Sequence, residues 1–412
     1  MDESRAAGHS TASIFSSAGS VLLLYIARSL RAFGDGFAII ILPVYLSALG
    51  YTPGEIGFIA SASLLGTAAF TLAVGLIAPR FDLRTLLSAG GALMAATGIA
   101  YPAATQVVFV AVVAFIGTIN PSTGDLGVLI PIEHAMLARN ASDEERTHVF
   151  ARYSLIGALS MAAGSLAAAA PDWVVQLGMD RLDAFRMMFF AYAVLGLASA
   201  AVYRFLPHAH MHERATAPLG PSRGVVYKLA ALFSIDAFAG GFVVQSLMAL
   251  WLFQRFDMSL SEASVFFFWA STLSAFSYPL AARIAKRIGL VNTMVFTHIP
   301  SSIFLILAAF SPSLPLTLAL LLARAALSQM DVPTRTSYVM AVVTPAERPA
   351  AASVTAIPRS LASSLSPTLG GMLLASAFSG LPLVICGALK IGYDVALLYS
   401  FRHVKPPEES QR

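Results

Sequence analysis

Cysteine is almost absent from these 412 residues: Cys386 stands alone, so neither an intramolecular disulfide nor a multi-cysteine metal site is available. Charge is nearly as scarce. Asp, Glu, Lys and Arg make up 12% of the chain, against roughly 25% in an ordinary globular domain, so a surface that faces water all round is excluded. No GxxxxGK[ST] phosphate loop, HExxH or cluster of histidine ligands occurs, which removes an ATP-driven pump and the common zinc hydrolases from consideration; the GxSxG string GPSRG at 220–224 falls in a polar linker and not between a strand and a helix. A soluble catalytic or signalling domain is missing as well. The longest interior polar stretch is 207–223, PHAHMHERATAPLGPSR; its alternating His208, His210 and His212 read as a solvated linker before they read as a metal site.

What is present is apolar. Hydrophobic residues form 57% of the chain and the mean hydropathy is +0.74. The apolar runs reach the ~20 residues that a helix needs to cross a bilayer. Twelve are read: 20–49, 53–78, 84–104, 107–138, 146–170, 184–206, 225–254, 260–286, 291–311, 315–343, 347–378 and 381–403. They are continuous, not alternating, which argues for helices and against a barrel. Basic residues fall in alternate connections: Arg80 and Arg84; Arg139 and Arg146; Arg204 and Arg223; Arg283, Lys286 and Arg287; Arg348; Arg402. Those connections and both termini are expected on the cytoplasmic side. The formal charge of +4 follows from this bias and implies no nucleic-acid surface. The acidic start MDESR and the interruptions at Arg28 and Arg31 argue against a cleaved signal peptide.

The chain also repeats itself. RAFGDGF at 31–37 returns as DAFAGGF at 236–242, and each lies in a run that ends near an acidic residue, Glu55 or Glu262. The basic turn from Pro79 to Arg84 returns at Lys286 to Val291, and Pro131, Glu133, Glu145 and Arg146 return as Pro333, Arg335, Glu347 and Arg348. Three echoes in one order indicate a duplicated unit. The predicted organisation is a tail (1–19), a six-helix bundle (20–206), a linker (207–223), a second six-helix bundle (224–403) and a tail (404–412).

Twelve spans in two halves, with basic turns after the second and eighth, resemble the major facilitator superfamily of secondary transporters. The family's GxxxDRxGRR signature is matched in part by Gly75, Arg80 and Arg84, with Pro79 and Asp82 as departures; the second copy keeps Arg287 and Gly289 but has Ala282 and Lys286. The resemblance makes these loops gate elements. Ser366-Pro367 to Gly370-Gly371 is similar to the family's antiporter signature GPxxGG, displaced to the eleventh span; the fifth span carries Gly164 without the proline. The fold implied is an all-α integral membrane protein of two pseudo-symmetric six-helix bundles, working as a monomer in a lipid bilayer, without cofactor or metal and without enzymatic activity.

Charges inside the apolar slab carry the chemistry, because each is costly there unless paired or facing water. They concentrate on spans one, four, seven and ten, which the resemblance makes the cavity-lining set. Arg28, Arg31 and Asp35 share one side of the first helix, with Gly34 and Gly36 flanking the carboxylate. Arg324, Ser328, Asp331, Arg335 and Tyr338 form a stripe on the tenth, broken by Pro333. The fourth supplies Asn120, Ser122, Asp125 and Glu133, and the seventh supplies Asp236 at the repeat position of Arg31. Glu133 and Arg335 occupy repeat-equivalent places with opposite charge and are expected to pair across the pseudo-symmetry axis. Lys390 and Asp394, one turn apart, are expected to neutralise each other, and Arg152 and Arg359 to snorkel to the interface.

The function expected is alternating-access transport of a small solute. Asp35 is the first candidate for proton coupling, followed by Asp331 and Glu133. Candidate substrate contacts are Arg31, Asp125, Asp236, Arg324, Ser328, Arg335 and Tyr338, with Phe33, Tyr45, Phe238 and Trp251 as cavity walls. Two substrate classes stay open. The apolar lining and the first-helix carboxylate resemble proton-coupled efflux carriers for amphipathic drugs or metabolites; Arg324 and Arg335 would instead clamp a small organic anion or metalloid oxyanion. A membrane receptor or enzyme is the remaining class. The excess of Arg over Lys and the many Ala point to a GC-rich bacterium, hence its cytoplasmic membrane.

Overall fold

The structure, a computed structural model, describes residues 3–122, 127–140, 146–210 and 219–404, the side chains of 3–18, 140, 146 and 147 aside. Asp125, Glu145 and His212 fall outside this set. Helices make up nearly all of it. The first half consists of α1 (Glu3–Ala48), α2 (Pro53–Ile77), α3 (Leu83–Ala103), α4 and α5 (Val107–Ile116, Ile130–Asn140), α6 and α7 (Arg146–Ala167, Ala170–Gln176) and α8 (Arg181–Tyr203). The second consists of α9 and α10 (Arg223–Gly241, Gln245–Phe256), α11 (Leu260–Ile288), α12 (Leu290–Phe310), α13 and α14 (Leu314–Ser328, Asp331–Ala341), α15 (Arg348–Leu374) and α16 (Leu381–Phe401). Taking each split pair as one span, these are twelve spans that follow the apolar runs, except that α1 begins well before residue 20, at Glu3.

The splits follow from the chain's own breakers. Gly117 ends α4 before Pro121, and Gly240-Gly241 ends α9. Pro333 falls in the first turn of α14, where its missing N–H costs nothing. Nine spans among the described residues are apolar and long enough to cross a bilayer unaided; of the other three, α4/α5 and α13/α14 are each broken into shorter helices, and α15 is the less apolar one. The lipid-facing surface is apolar: Leu76, Val108 and Leu365 are 78%, 74% and 65% exposed. Glu55 and Glu262 prove to be the same local device twice, each closing a capping box with Thr52 or Ser259 at the start of the second helix of its half.

Packing differs between the two ends. At the end away from the basic loops, one hydrophobic cluster joins both halves, running from Phe37 to Leu46 of α1 through Leu247 to Leu252 of α10. Tyr45 and Trp251, expected as cavity walls, are 0% and 1% exposed inside this seal, and Phe33 and Phe238 pack against it. Hydrogen bonds between the halves lie here or at mid-depth: Thr368 N–H to Ser61 at 3.0 Å, Ser246 N–H to the Pro121 carbonyl at 3.2 Å, and Ser261 to Asp172 at 3.0 Å. At the basic end there are two clusters, one built from 21–209 alone and the other from 219–401 alone. The halves are thus fused at one end and separate at the other.

The glycines of the expected antiporter signature lie in the fused end. Gly371 of α15 sits against Gly57 of α2 so closely that a Cβ on either would meet the other's Cα at 3.0 Å. Gly36 likewise abuts Gly164 of α6, so the glycine beside Asp35 serves close helix packing.

Candidate substrate cavity

A cavity of about 310 Å³ lies between the halves. The first half contributes Arg28 of α1 and a smooth wall from α6, chiefly Ser154, Gly157 and Met161. The second half contributes most of the polar surface: Asp236 of α9, Gln245 of α10, Tyr278 of α11, His298 and Ser301 of α12, Arg324 and Ser328 of α13, Arg335 of α14, Arg359 of α15 and Lys390 of α16. Five of the lining side chains are Arg or Lys and one, Asp236, is a carboxylate. Nine lining residues are serines, so the wall is richer in hydroxyls than in aromatic surface.

The ionic groups of the second half form a chain. Asp236 accepts from Lys390 Nζ at 2.6 Å and from Arg335 Nη1 at 3.2 Å. Arg335 also meets Asp331 at 3.0 Å and stacks over Phe233. Lys390 Nζ lies 3.3 Å from His298 Nε2, and His298 Nδ1 lies 3.1 Å from the fully buried Asp394. Lys390 and Asp394 therefore do not neutralise each other as their spacing suggested; each is captured by a closer partner on another helix. Arg359 lines the cavity instead of snorkelling. Among the described residues Arg324 and Arg359 face the cavity with no hydrogen bond or ion pair from their guanidinium groups to the protein.

The first half holds a closed counterpart. Glu133, 0% exposed, pairs with Arg31 and accepts hydrogen bonds from Tyr153 and from Tyr203, the latter at 2.6 Å. Arg31 Nε donates in turn to Tyr203 at 2.9 Å. The expected pair of Glu133 with Arg335 is not formed, because each finds its partner within its own half. Arg31 and Asp236 are repeat-equivalent, as are Glu133 and Arg335, so one ion pair occurs twice with its signs exchanged. Arg31, Asp331 and Glu133 are consumed in these pairs and do not line the cavity. Tyr338 is fully buried, its hydroxyl donating to the Val404 carbonyl at 3.0 Å. Asp35 is off the cavity wall too. Tyr192 donates to it at 3.0 Å, which leaves Thr118 to donate to the Tyr192 oxygen at 2.9 Å. Of the expected substrate contacts, Asp236, Arg324, Ser328 and Arg335 come together; His298, Lys390, Arg359 and Gln245 were not anticipated.

The basic loops hold the linker ends. Asp82 caps α3 and, despite partial burial that opposes ionisation, is kept below the usual carboxylate range by the Ala209 N–H at 2.8 Å and His208 at 2.6 Å. Arg84 reaches the Leu206 carbonyl at 3.4 Å, while Gly75 and Arg80 are exposed. Gly289 takes φ +87° between α11 and α12, a conformation that favours glycine, and Arg287 beside it is exposed. Glu347 anchors the other linker end. Hydrogen bonds from Thr344, Ser222 and the Gly220 N–H bring its carboxyl down to about 2. No group of three or more His, Cys, Asp or Glu among the described residues is arranged to hold a metal ion.

Two six-helix halves sealed at one end around a polar central cavity define a membrane carrier. The Major Facilitator Superfamily model matches residues 24–235 and again 230–412, and the chain belongs to that superfamily. It is 24% identical over 420 residues to the uncharacterized membrane protein YJR124C of Saccharomyces cerevisiae, covering 92% of this chain and 94% of the relative. Among solved structures, the nucleoside transporter NupG aligns with a TM-score of 0.72 at 15% identity, covering 93% of this chain and 99% of that one. The xylose transporter XylE of E. coli gives 0.69 at 14%, covering 95% and 99%. A bacterial homologue of the human lysosomal transporter Spinster gives 0.68 at 14%, covering 93% and 94%. The protein is a multi-pass membrane transporter of a solute, not an enzyme.

Proposed function

We propose that the solute is a small organic or inorganic anion, carried by alternating access, and that the structure represents the state open at the basic end. The observation that carries the reading is the cationic excess of the cavity wall, with the Arg324 and Arg359 guanidinium groups facing it without an acceptor among the described residues. A buried charge left without a partner is costly, and an anionic ligand supplies that partner to both. The separate apolar clusters at the basic end support the rocking movement, since the halves can close there without breaking a shared core. The basic residues around that mouth support a cytoplasmic side there, with both termini on it.

Proton-coupled efflux of an amphipathic drug fits this cavity less well. It relies on aromatic walls that are occupied in the seal and on Asp35, which Tyr192 holds off the cavity. The named substrates of the solved relatives, nucleosides and xylose, are the neutral comparison.

The test uses the purified chain in lipid nanodiscs, with thermal stabilisation measured against dicarboxylates, sugar phosphates, sulfate and sulfonates, and against neutral sugars, nucleosides and organic cations. At a hundredfold excess over Kd a ligand stabilises by roughly 2.7 kcal/mol. Anions are expected to stabilise, with Arg324→Gln weakening the binding about tenfold or more, the equivalent of one charge-assisted hydrogen bond at ~1.5–3 kcal/mol. Stabilisation by cations or neutral solutes alone overturns the reading.

A further inference from the structure

His298 sits where the buried ionic chain meets the cavity. It is 3% exposed, it lines the cavity wall, and both ring nitrogens face ionic groups. Lys390 is an ammonium with donors only, so the Nε2 atom 3.3 Å from it must present a lone pair. The ring proton is then on Nδ1, donated to Asp394 at 3.1 Å. The hydrogen-bond pattern therefore fixes a neutral imidazole in one tautomer, held between a carboxylate and an ammonium.

Adding a proton to Nε2 destroys that arrangement. An imidazolium cannot face the ammonium at this distance, whereas Asp236 Oδ1, already 3.9 Å from Nε2, can accept from it. Lys390 now shares Asp236 with a competing donor, and the open direction for its flexible stem is the cavity. We propose that His298 is the proton acceptor that couples proton binding to solute binding: its protonation releases Lys390 from Asp236 into the cavity, where the ammonium joins Arg324 in holding an anion. Proton and anion then bind cooperatively and travel in the same direction, and by linkage each raises the affinity for the other equally. This assignment rests on the anion reading above and replaces Asp35 as the coupling group.

The surroundings of His298 are consistent with it as the group that responds. From α16 it meets Lys390, Asp394 and the edge of Tyr393, with Cys386 one turn further. Asp236 approaches from α9, and the Arg335–Asp331 pair of α14 lies behind that carboxylate. Arg324 of α13 and Arg359 of α15 are on the cavity wall, and α11 contributes Tyr278. Of the neighbouring carboxylates, Asp236 and Asp331 have cationic donors and Asp394 faces the His298 Nδ1.

The experiment uses probes whose charge stays constant between about pH 5.5 and about pH 8, the range over which histidine titrates: sulfate and 1,3-benzenedisulfonate. Their Kd is measured across that range for the native chain in nanodiscs, for His298→Gln and for Lys390→Met. Native affinity is expected to rise as pH falls, by up to about tenfold per pH unit, the limit for one linked proton; both variants should give a flat profile. Nitrogen NMR of labelled histidine in the native chain provides a readout independent of whether His298→Gln folds. The imidazole whose signal moves in Lys390→Met should show the Nδ1–H tautomer at high pH and become protonated when anion is added. If no anion binds at any pH, the anion reading falls and the coupling with it. If anion binds with a pH-independent Kd, if the slope survives in His298→Gln, or if the NMR shows an Nε2–H ring, the coupling role alone is overturned.

Discussion

Gly57→Ala tests whether the glycine contact between α2 and α15 holds shut the seal at the end away from the basic loops. A Cβ built on Gly57 runs first into the Pro367 carbonyl oxygen and then meets the Gly371 Cα at 3.0 Å. Carbon atoms pack at roughly 3.5–4.0 Å, and both obstacles are backbone, so no side chain can turn aside. The helices must separate by about an ångström at this crossing. Overpacking of this kind costs about 1–3 kcal/mol, and the cost applies to the state in which the two helices touch. The equilibrium should therefore shift toward the state open at the opposite end by about 5- to 150-fold. The single cysteine simplifies the assay: in a Cys386→Ala background, Ala249→Cys introduces a thiol on α10 where the native side chain is 0% exposed within the shared cluster. Its alkylation by a membrane-impermeant maleimide reports opening of the seal, and Gly57→Ala should accelerate it by the same factor. Unchanged labelling, with or without a fall in Tm, refutes the claim that this contact is what parts.

Two further outcomes follow from the buried and capping carboxylates. Glu133→Gln removes the charge that balances Arg31 in a site with no exposure, and breaking a buried pair from one side costs about 3–5 kcal/mol; chemical denaturation in micelles should show a loss of that order, because the cluster is structural and closed. Glu347 titrates below its ordinary value, so its contribution to anchoring the linker is complete above about 4.5 and is lost as pH falls from there toward about 2; hydrogen exchange at residues 220–222 should accelerate over that acid range and stay unchanged from neutral pH down to about 5.

Run length and breakers made the spans legible, because a helix crossing hydrocarbon must be continuous and apolar and the chain marks its interruptions with Gly and Pro. Partners were less legible. Asp236, Arg324, Ser328 and Arg335 were found from the rarity of charge in apolar runs, yet helical periodicity specifies a face and says nothing of what stands opposite. Lys390 and Asp394 have ideal i, i+4 spacing, but Asp236 and His298 on neighbouring helices draw them apart. His298 went unnoticed because one histidine in an apolar run has no periodic partner. A signal was nonetheless present: THIPSS at 297–302 is a polar string inside an apolar helix, and buried polar groups of that density require hydrogen-bonding partners. Tyr45 and Trp251 were misplaced for the opposite reason, since a large aromatic in so apolar a chain carries no information about which surface it fills.

The exchanged ion pairs explain how one duplicated unit can yield a scaffold and a site. Removing one partner of a buried pair leaves an uncompensated charge, so neither member can be lost alone; reversing both preserves the balance. Arg31 with Glu133 and Asp236 with Arg335 are two solutions of that constraint at equivalent positions. Their surroundings then decide their use. Glu133 is fully buried with Arg31 and two tyrosines donating to it, so no ligand reaches it and the first half presents the smooth face of α6 to the cavity. On the cavity wall of the second half the carboxylate is the minority charge: Asp236 is shared by Arg335 and Lys390, with His298 at its edge. A carboxylate shared among several cations is a bond that an entering anion or proton can redistribute. The asymmetry of the cavity thus comes from what surrounds each pair, while the pairs themselves are what the repeat required.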